Sequence, residues 1–335
     1  HRGGRKSGFS QWVIVSSRTI KVMSFDLPTW VVPYALWSGH RAPANWPANG
    51  TLPNMRQWLR DMRRISVIHE APHESLPTSL SMPHEASQAN ALGWDFADGC
   101  VPWAAKAAVE QHLSPDKSAW SFVTLCNWHV SNGQVTMGDP AHLQIDADTD
   151  AQLFEAMQVF FAQDGIALYP YAPGQWLAQS DVFTNLPTAS LDRVIGRNID
   201  PWLVGGATPT GPATLLRRLQ NEMQMLLYTH ALNADRWPAI NSFWVSGCGA
   251  LPAQTHTGVQ VHTTLRETFL QQHPAAWAAA WEELAHALMA PALQQGDSLV
   301  LCGTDRCLAL TANSPSLWQQ FLQKIRPQSW VKLLS

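Results

Sequence analysis

The sequence predicts an α/β protein: a core sheet flanked by helices, carrying an inserted, smaller α+β domain. Three observations carry this. Apolar runs of strand length mix with amphipathic helical stripes throughout the chain. No segment repeats another, which argues against a solenoid or propeller. The 335 residues suffice for one large domain or two moderate ones.

Residues 1–22 hold five basic residues and no acid. Met23 is the first methionine, so residues 1–22 read as a non-native or disordered tail, and their apolar stretch is too short for a signal peptide. Residues 30–36 (WVVPYAL) predict a buried strand ended by Pro33, followed by a Pro/Gly/Asn-rich loop over 39–53. Apolar residues at 55, 58, 59, 62 and 65 predict a helix. Residues 71–83 read as loop. Helices are expected over 84–94, ended by Gly93, and over 101–113, with Pro102 near its start. Residues 118–130 and 134–140 read as strands joined by Ser131-Asn132-Gly133, an Asn-Gly hairpin signal.

The clearest amphipathic helix spans 149–165, with apolar residues at 153, 154, 157, 160 and 161. Residues 166–180 suggest a strand pair and 205–214 a flexible linker. A second strong helix covers 215–230, and 241–252 reads as a strand running into a Gly-containing turn. The remainder predicts a helix over 275–290, strands over 297–303 and 307–311, and a last helix over 315–325. The expected domains are a core of 23–118 plus 240–335 and an insertion of 119–239.

Hydrophobic residues make up 46% of the chain and charged residues 14%, as in a folded protein rather than a disordered one. A net charge of −3 gives no basic footprint for nucleic acid. No apolar run approaches the ~20 residues of a membrane span. The five cysteines include no CxxC, and Cys302 and Cys307 lie too far apart in sequence for paired zinc ligands. All five read as reduced thiols of a cytoplasmic protein. The 17 Trp suggest core filling with some ring-lined contact surface for a protein partner.

GxGxxG, P-loop, GxSxG and HExxH patterns are all missing. Three stretches stand out instead. In HALNADRW…AINSF, His230, Asn233 and Asn241 could bind an anionic or polyol ligand, or could cap helices and fix turns. In SLDRVIGRNIDPW, Arg193 and Arg197 flanked by Asp192 and Asp200 could grip a phosphate or carboxylate, or could bridge the loop to itself. In SMPHEASQANALGW, His84 and Glu85 could act as an acid/base pair or metal ligands, or could simply open a helix.

Taken in order, LPNMRQWLRDM, HEASQANALGWD…VPWAAKAA, SFVTLCNWHVSNGQV and LLYTHALNADR…AINSFWVSGCGALP resemble motifs of the archaeal-type cofactor-independent phosphoglycerate mutases. Those enzymes belong to the alkaline phosphatase superfamily. The match spans roughly residues 28–252. More closely, the whole chain resembles a proteobacterial family of regulatory proteins of the pathogenicity-factor type (type E).

The resemblance implies an alkaline-phosphatase-like core with an inserted domain, two metal ions and a Ser nucleophile. The chain departs from it at the chemistry. The first strand ends in VVPYALWSG rather than a metal-binding Asp-Gly, and Pro83-His84-Glu85 replaces Gly-Ser-Asp. Ser246 replaces the Arg of Arg-Gly-x-Gly, and residues 253–335 hold no counterpart of the late Asp/His cluster.

A two-metal phosphotransferase clamps attacking and leaving oxygens between cations, so it needs those ligands. The expectation is a non-catalytic regulatory or ligand-sensing protein without cofactor, binding an anionic metabolite through Arg193, Arg197, Asp200, His230, Asn233 and Asn241. One alternative is an active manganese or zinc phosphomutase or phosphatase with atypical ligands from His84, Glu85, His129, Asp139 or Asp305. The other is an adaptor with no small-molecule site.

Overall fold

A computed structural model describes residues 12–15, 18–21, 29–37, 65–71, 79–113, 118–131, 133–253, 255–289 and 298–312. In chain order, a short hairpin of β1 (Trp12–Val15) and β2 (Arg18–Lys21) precedes β3 (Thr29–Val32) and β4 (Ile65–Ala71). Helices α1 (Pro83–Ala91) and α2 (Trp103–Glu110) lead to β5 (Trp120–Cys126) and the hairpin β6 (Trp128–Ser131) and β7 (Gln134–Met137). Next come α3 (Ala147–Gln163), the hairpin β8 (Ala167–Ala172) and β9 (Gln175–Gln179), α4 (Leu191–Val194), α5 (Pro212–Thr229) and β10 (Ser242–Gly249). The chain continues through β11 (Val259–Val261), α6 (Arg266–Leu270), α7 (Pro274–Met289), β12 (Ser298–Cys302) and β13 (Cys307–Ala312). This is a mixed α/β fold.

The chain divides into two compact units. The first comprises residues 1–75, 83–95 and 254–335; the second comprises 76–82 and 96–253. Segments 103–110 and 242–249, which the sequence reading grouped with the larger core, pack within the second unit because β10 pairs with β5. The expected helix over 54–65 lies outside the described residues up to 64. From Ile65 the chain is β4, whose Ser66, Val67 and Ile68 continue the strand. The loop over 39–53 and the helix over 315–325 also lie outside the described residues. Within the supposed tail, β1 and β2 pair antiparallel, Val13 opposite Ile20, as β-branched residues favour.

The first unit is built on a five-stranded sheet of order β11-β3-β12-β13-β4. Strands β11, β3 and β12 run parallel; β13 is antiparallel to β12 and to β4. All four residues of β3 and all five of β12 are buried, as continuous apolar runs in central parallel strands require. Helix α1 packs on β3 and β12, and α7 contributes the buried Trp277 and Trp281.

The second unit holds a four-stranded antiparallel sheet, β10-β5-β9-β8. Alternate residues point to opposite faces. On one face Val123, Leu125, Trp176, Phe243 and Val245 join the stripes Leu153-Met157-Phe161 of α3 and Leu216-Leu219-Met223-Leu227 of α5. On the other, Trp120 and Leu177 meet the alanines of α2. Helix α3 is capped by Asp146, which accepts from the Thr149 amide at 2.8 Å. Pro212 sits at the first turn of α5, where its missing N–H costs nothing.

The apolar run over 118–130 is two strands, not one. At Asn127 the carbonyl accepts from Gly138 N, and the side chain donates to Ala239 O at 2.7 Å. Only β6 and β7 form the expected Asn-Gly hairpin; β5 belongs to the main sheet.

Candidate functional site

Ligands of sheets with parallel strands are held beyond the strands' carboxyl ends. In the first unit these ends are Val32, Val261 and Cys302, followed by Tyr34, His262 and Gly303. Tyr34 is fully buried and its φ is +58°, a left-handed conformation uncommon for a bulky residue. Such outliers cluster at functional positions. Its carbonyl accepts from Trp277 Nε1 at 2.9 Å. Its ring lies 4.9 Å from Phe269 and 5.4 Å from His84. Trp37 continues the cluster, 4.9 Å from Phe269 and 5.5 Å edge-on to Trp277. An aromatic floor therefore fills the end of β3.

His84 and Glu85 stand in the first turn of α1, both half-buried. Glu85 there complements the helix dipole, and His84 rests against Tyr34. Across the edge His262 stacks on Trp30, with centroids 5.2 Å apart and planes 9° from parallel. Burial pushes the His262 imidazole below its ordinary value. His262 Nε2 and Trp30 Nε1 are both buried without a hydrogen-bond partner.

The Asn-rich segment of the second unit is a backbone clamp. Asn233 Nδ2 donates to Leu227 O at 2.8 Å and Ile240 O at 2.7 Å, while its Oδ1 accepts from Ile240 N at 2.9 Å. This closes the loop between α5 and β10. Asn241 pairs with Trp128 as a strand would: Oδ1 accepts from its N–H at 2.7 Å and Nδ2 donates to its carbonyl at 2.9 Å. His230 Nδ1 accepts from Leu232 N at 3.4 Å and caps a 3-10 turn.

Arg193 is 4% exposed. It donates to Ser81 O at 2.6 Å, and its guanidinium lies 5.9 Å from the Trp202 ring centroid. Arg197 and Asp200 are exposed on the turn that follows. The fold thus separates the two guanidinium environments: one supports a buried loop, the other faces solvent. Asp200 opens a short 3-10 turn, its amide donating to Asn198 Oδ1 at 3.2 Å.

The small-residue stretch Ser246-Gly247-Cys248-Gly249 is a close approach and a bulge in β10. Gly247 has φ +66°, and a Cβ there would meet Trp103 Cβ at 3.1 Å. Burial pushes the Cys248 thiol up to about 12, so it is no nucleophile at neutral pH.

Of the alternative metal ligands, His129 and Asp139 belong to the second unit and His84, Glu85 and Asp305 to the first. His129 is exposed on β6. Asp139 caps a 3-10 turn by accepting from Ala141 N at 3.0 Å. Among the described residues no three His, Cys, Asp or Glu side chains come together as metal ligands. No described helix is long and apolar enough to cross a membrane. Trp176, Trp244, Trp277 and Trp281 are fully buried, and Trp237 is 88% exposed. Tyr34, His262, Phe269 and Trp277 belong to none of the three stretches that stand out in the sequence. The one available signal was a Tyr directly after Val-Val-Pro at a strand end.

No family model and no curated protein matches the chain. Solved structures similar to it include the two that follow. The cofactor-independent phosphoglycerate mutase from Thermoplasma acidophilum aligns over 85% of this chain and 89% of its own, with 11% identity and a TM-score of 0.34. The PH0037 protein from Pyrococcus horikoshii aligns over 85% and 87%, with 13% identity and a TM-score of 0.43.

Proposed function

We propose that the chain is a non-catalytic regulatory or ligand-sensing protein of phosphoglycerate-mutase-like type, with neither a two-metal site nor a Ser nucleophile. The observation that supports this is the aromatic packing at the end of β3. A two-metal enzyme places carboxylate and imidazole ligands around its reacting oxygens. Here the strand end carries Tyr34, enclosed by Phe269, Trp277 and His84. His84 occupies the position where the resemblance would put the nucleophile, and its ring lies 5.4 Å from that of Tyr34.

The proposed ligand is an anionic metabolite bearing phosphate or carboxylate, engaged by the exposed Arg197 on its turn. Arg193 acts in that site by fixing the turn rather than by meeting the ligand. The test is thermal denaturation with 3-phosphoglycerate and with inorganic phosphate. The wild type is expected to gain stability with the metabolite, and Arg197→Ala to lose that gain. A gain that survives in Arg197→Ala removes Arg197 from the site. Metal-dependent turnover of 3-phosphoglycerate, abolished by chelation, would overturn the non-catalytic reading.

A further inference from the structure

Cys302 and Cys307 end one strand and begin the next, and they are direct cross-strand partners in the β12–β13 pair. Gly303 N donates to Arg306 O at 2.7 Å, making 303/306 a hydrogen-bonded pair. The adjacent 302/307 pair is therefore of the non-hydrogen-bonded kind, in which side chains approach most closely, at a Cα separation of about 4.5 Å. Disulfides span Cα separations of about 4.4–6.8 Å. The Cys302 carbonyl faces the other way, accepting from Ala35 N at 2.7 Å, as that geometry requires. The two sulfurs lie 2.8 Å apart, and both thiols are free. The Ser87 hydroxyl, one helical turn beyond His84, donates to Cys307 Sγ at 3.3 Å and lies 3.9 Å from Cys302 Sγ.

We propose that Cys302 and Cys307 form a reversible redox dithiol, a modification site oxidised to an intramolecular disulfide by a low-molecular-weight disulfide. Cys307 is half-buried and Cys302 fully buried, which orders the two steps. The Cys307 thiolate attacks one sulfur of the small disulfide. A bond forms to Cys307, the small disulfide's S–S bond breaks, and one half leaves as thiolate. The Cys302 thiolate then attacks Cys307 Sγ in the mixed disulfide, and the second half leaves as thiolate. Two electrons pass from the protein to the small disulfide, which becomes two thiols, and the two cysteine protons go to the departing thiolates. Burial holds the Cys302 thiol well above its ordinary value, which keeps its thiolate scarce and slows the second step, so resolution relies on the 2.8 Å proximity of the two sulfurs. The inference stands apart from the ligand-sensing reading, since it uses neither Arg197 nor an anionic ligand.

The test treats the reduced full chain with oxidised glutathione, counts thiols after denaturation, and maps tryptic peptides. The chain has five cysteines, and the expected thiol count falls by two and recovers with dithiothreitol. Trypsin cuts after Arg306, so the peptides carrying Cys302 and Cys307 should stay joined only by the disulfide. Cys307→Ser should lose no thiol at this site, and Cys302→Ser should stop at a glutathione adduct on Cys307. An unchanged thiol count, a wild-type adduct that never resolves, or a linkage through another cysteine would overturn the proposal. The wild-type peptide map decides this whether or not the variants fold.

Discussion

Asn233 makes three backbone hydrogen bonds with one side chain, joining the end of α5 to the start of β10. Removing it leaves two carbonyls and an amide to find new partners, at about 2 kcal/mol. Asn233→Ala is therefore expected to lower the urea midpoint even without any ligand. An unchanged midpoint would return Asn233 to a purely ligand-binding role. The sequence showed the His/Asn/Arg cluster but could not separate clamp from ligand site, because a clamp is defined by carbonyls from other segments. Arg193 is the same case: its partner Ser81 is distant in sequence, and only the fold brings them together. At His262 the imidazole is held below its ordinary value of 6.5 by burial. The unfolded chain then binds more protons than the folded one as pH falls through and below that value, so stability drops on acidification. Urea midpoints between about pH 8 and about pH 5 should decline less steeply in His262→Asn than in the wild type. Equal slopes would assign the decline to other groups.

Helices α3 and α5 were legible because their apolar stripes are long and regular; their starts, at Ala147 and Pro212, lie ahead of the expected 149 and 215, and Pro212 opens a helix where a linker was expected. The β6–β7 hairpin was legible from its Asn-Gly turn. The break between β5 and β6 was not, because Asn127 ends the strand by bonding to Gly138 and Ala239, contacts invisible in the local pattern. Strand β11 is only three residues long and owes its conformation to pairing with β3. One carboxylate ties the β8–β9 hairpin to α3: Asp150 Oδ1 accepts from Gly174 N at 2.8 Å and from Trp176 Nε1 at 2.9 Å. Asp150→Ala orphans the indole N–H of a fully buried Trp and is expected to cost roughly 2–4 kcal/mol. Asp150→Asn, which keeps an acceptor, should cost less. Denaturant midpoints of the two variants check this, and equal losses would deny the hairpin tie.

At the scale of the whole molecule, the α/β class followed from the mixture of stripe and run. The grouping of segments into units did not, because it rests on pairings such as β10 with β5 that no local pattern specifies. The same holds for the cross-strand thiols. Cys302 and Cys307 are distant by the spacing rules for metal ligands, yet a hairpin register sets them side by side. The proposed non-catalytic function rests on the aromatic packing at the end of β3, which offers no carboxylate ligands of the kind a two-metal mechanism needs. The most direct test is elemental mass spectrometry of the chain purified without chelators or affinity metals. The account predicts no stoichiometric manganese or zinc; about two such ions per chain, as a two-metal mechanism requires, would contradict it.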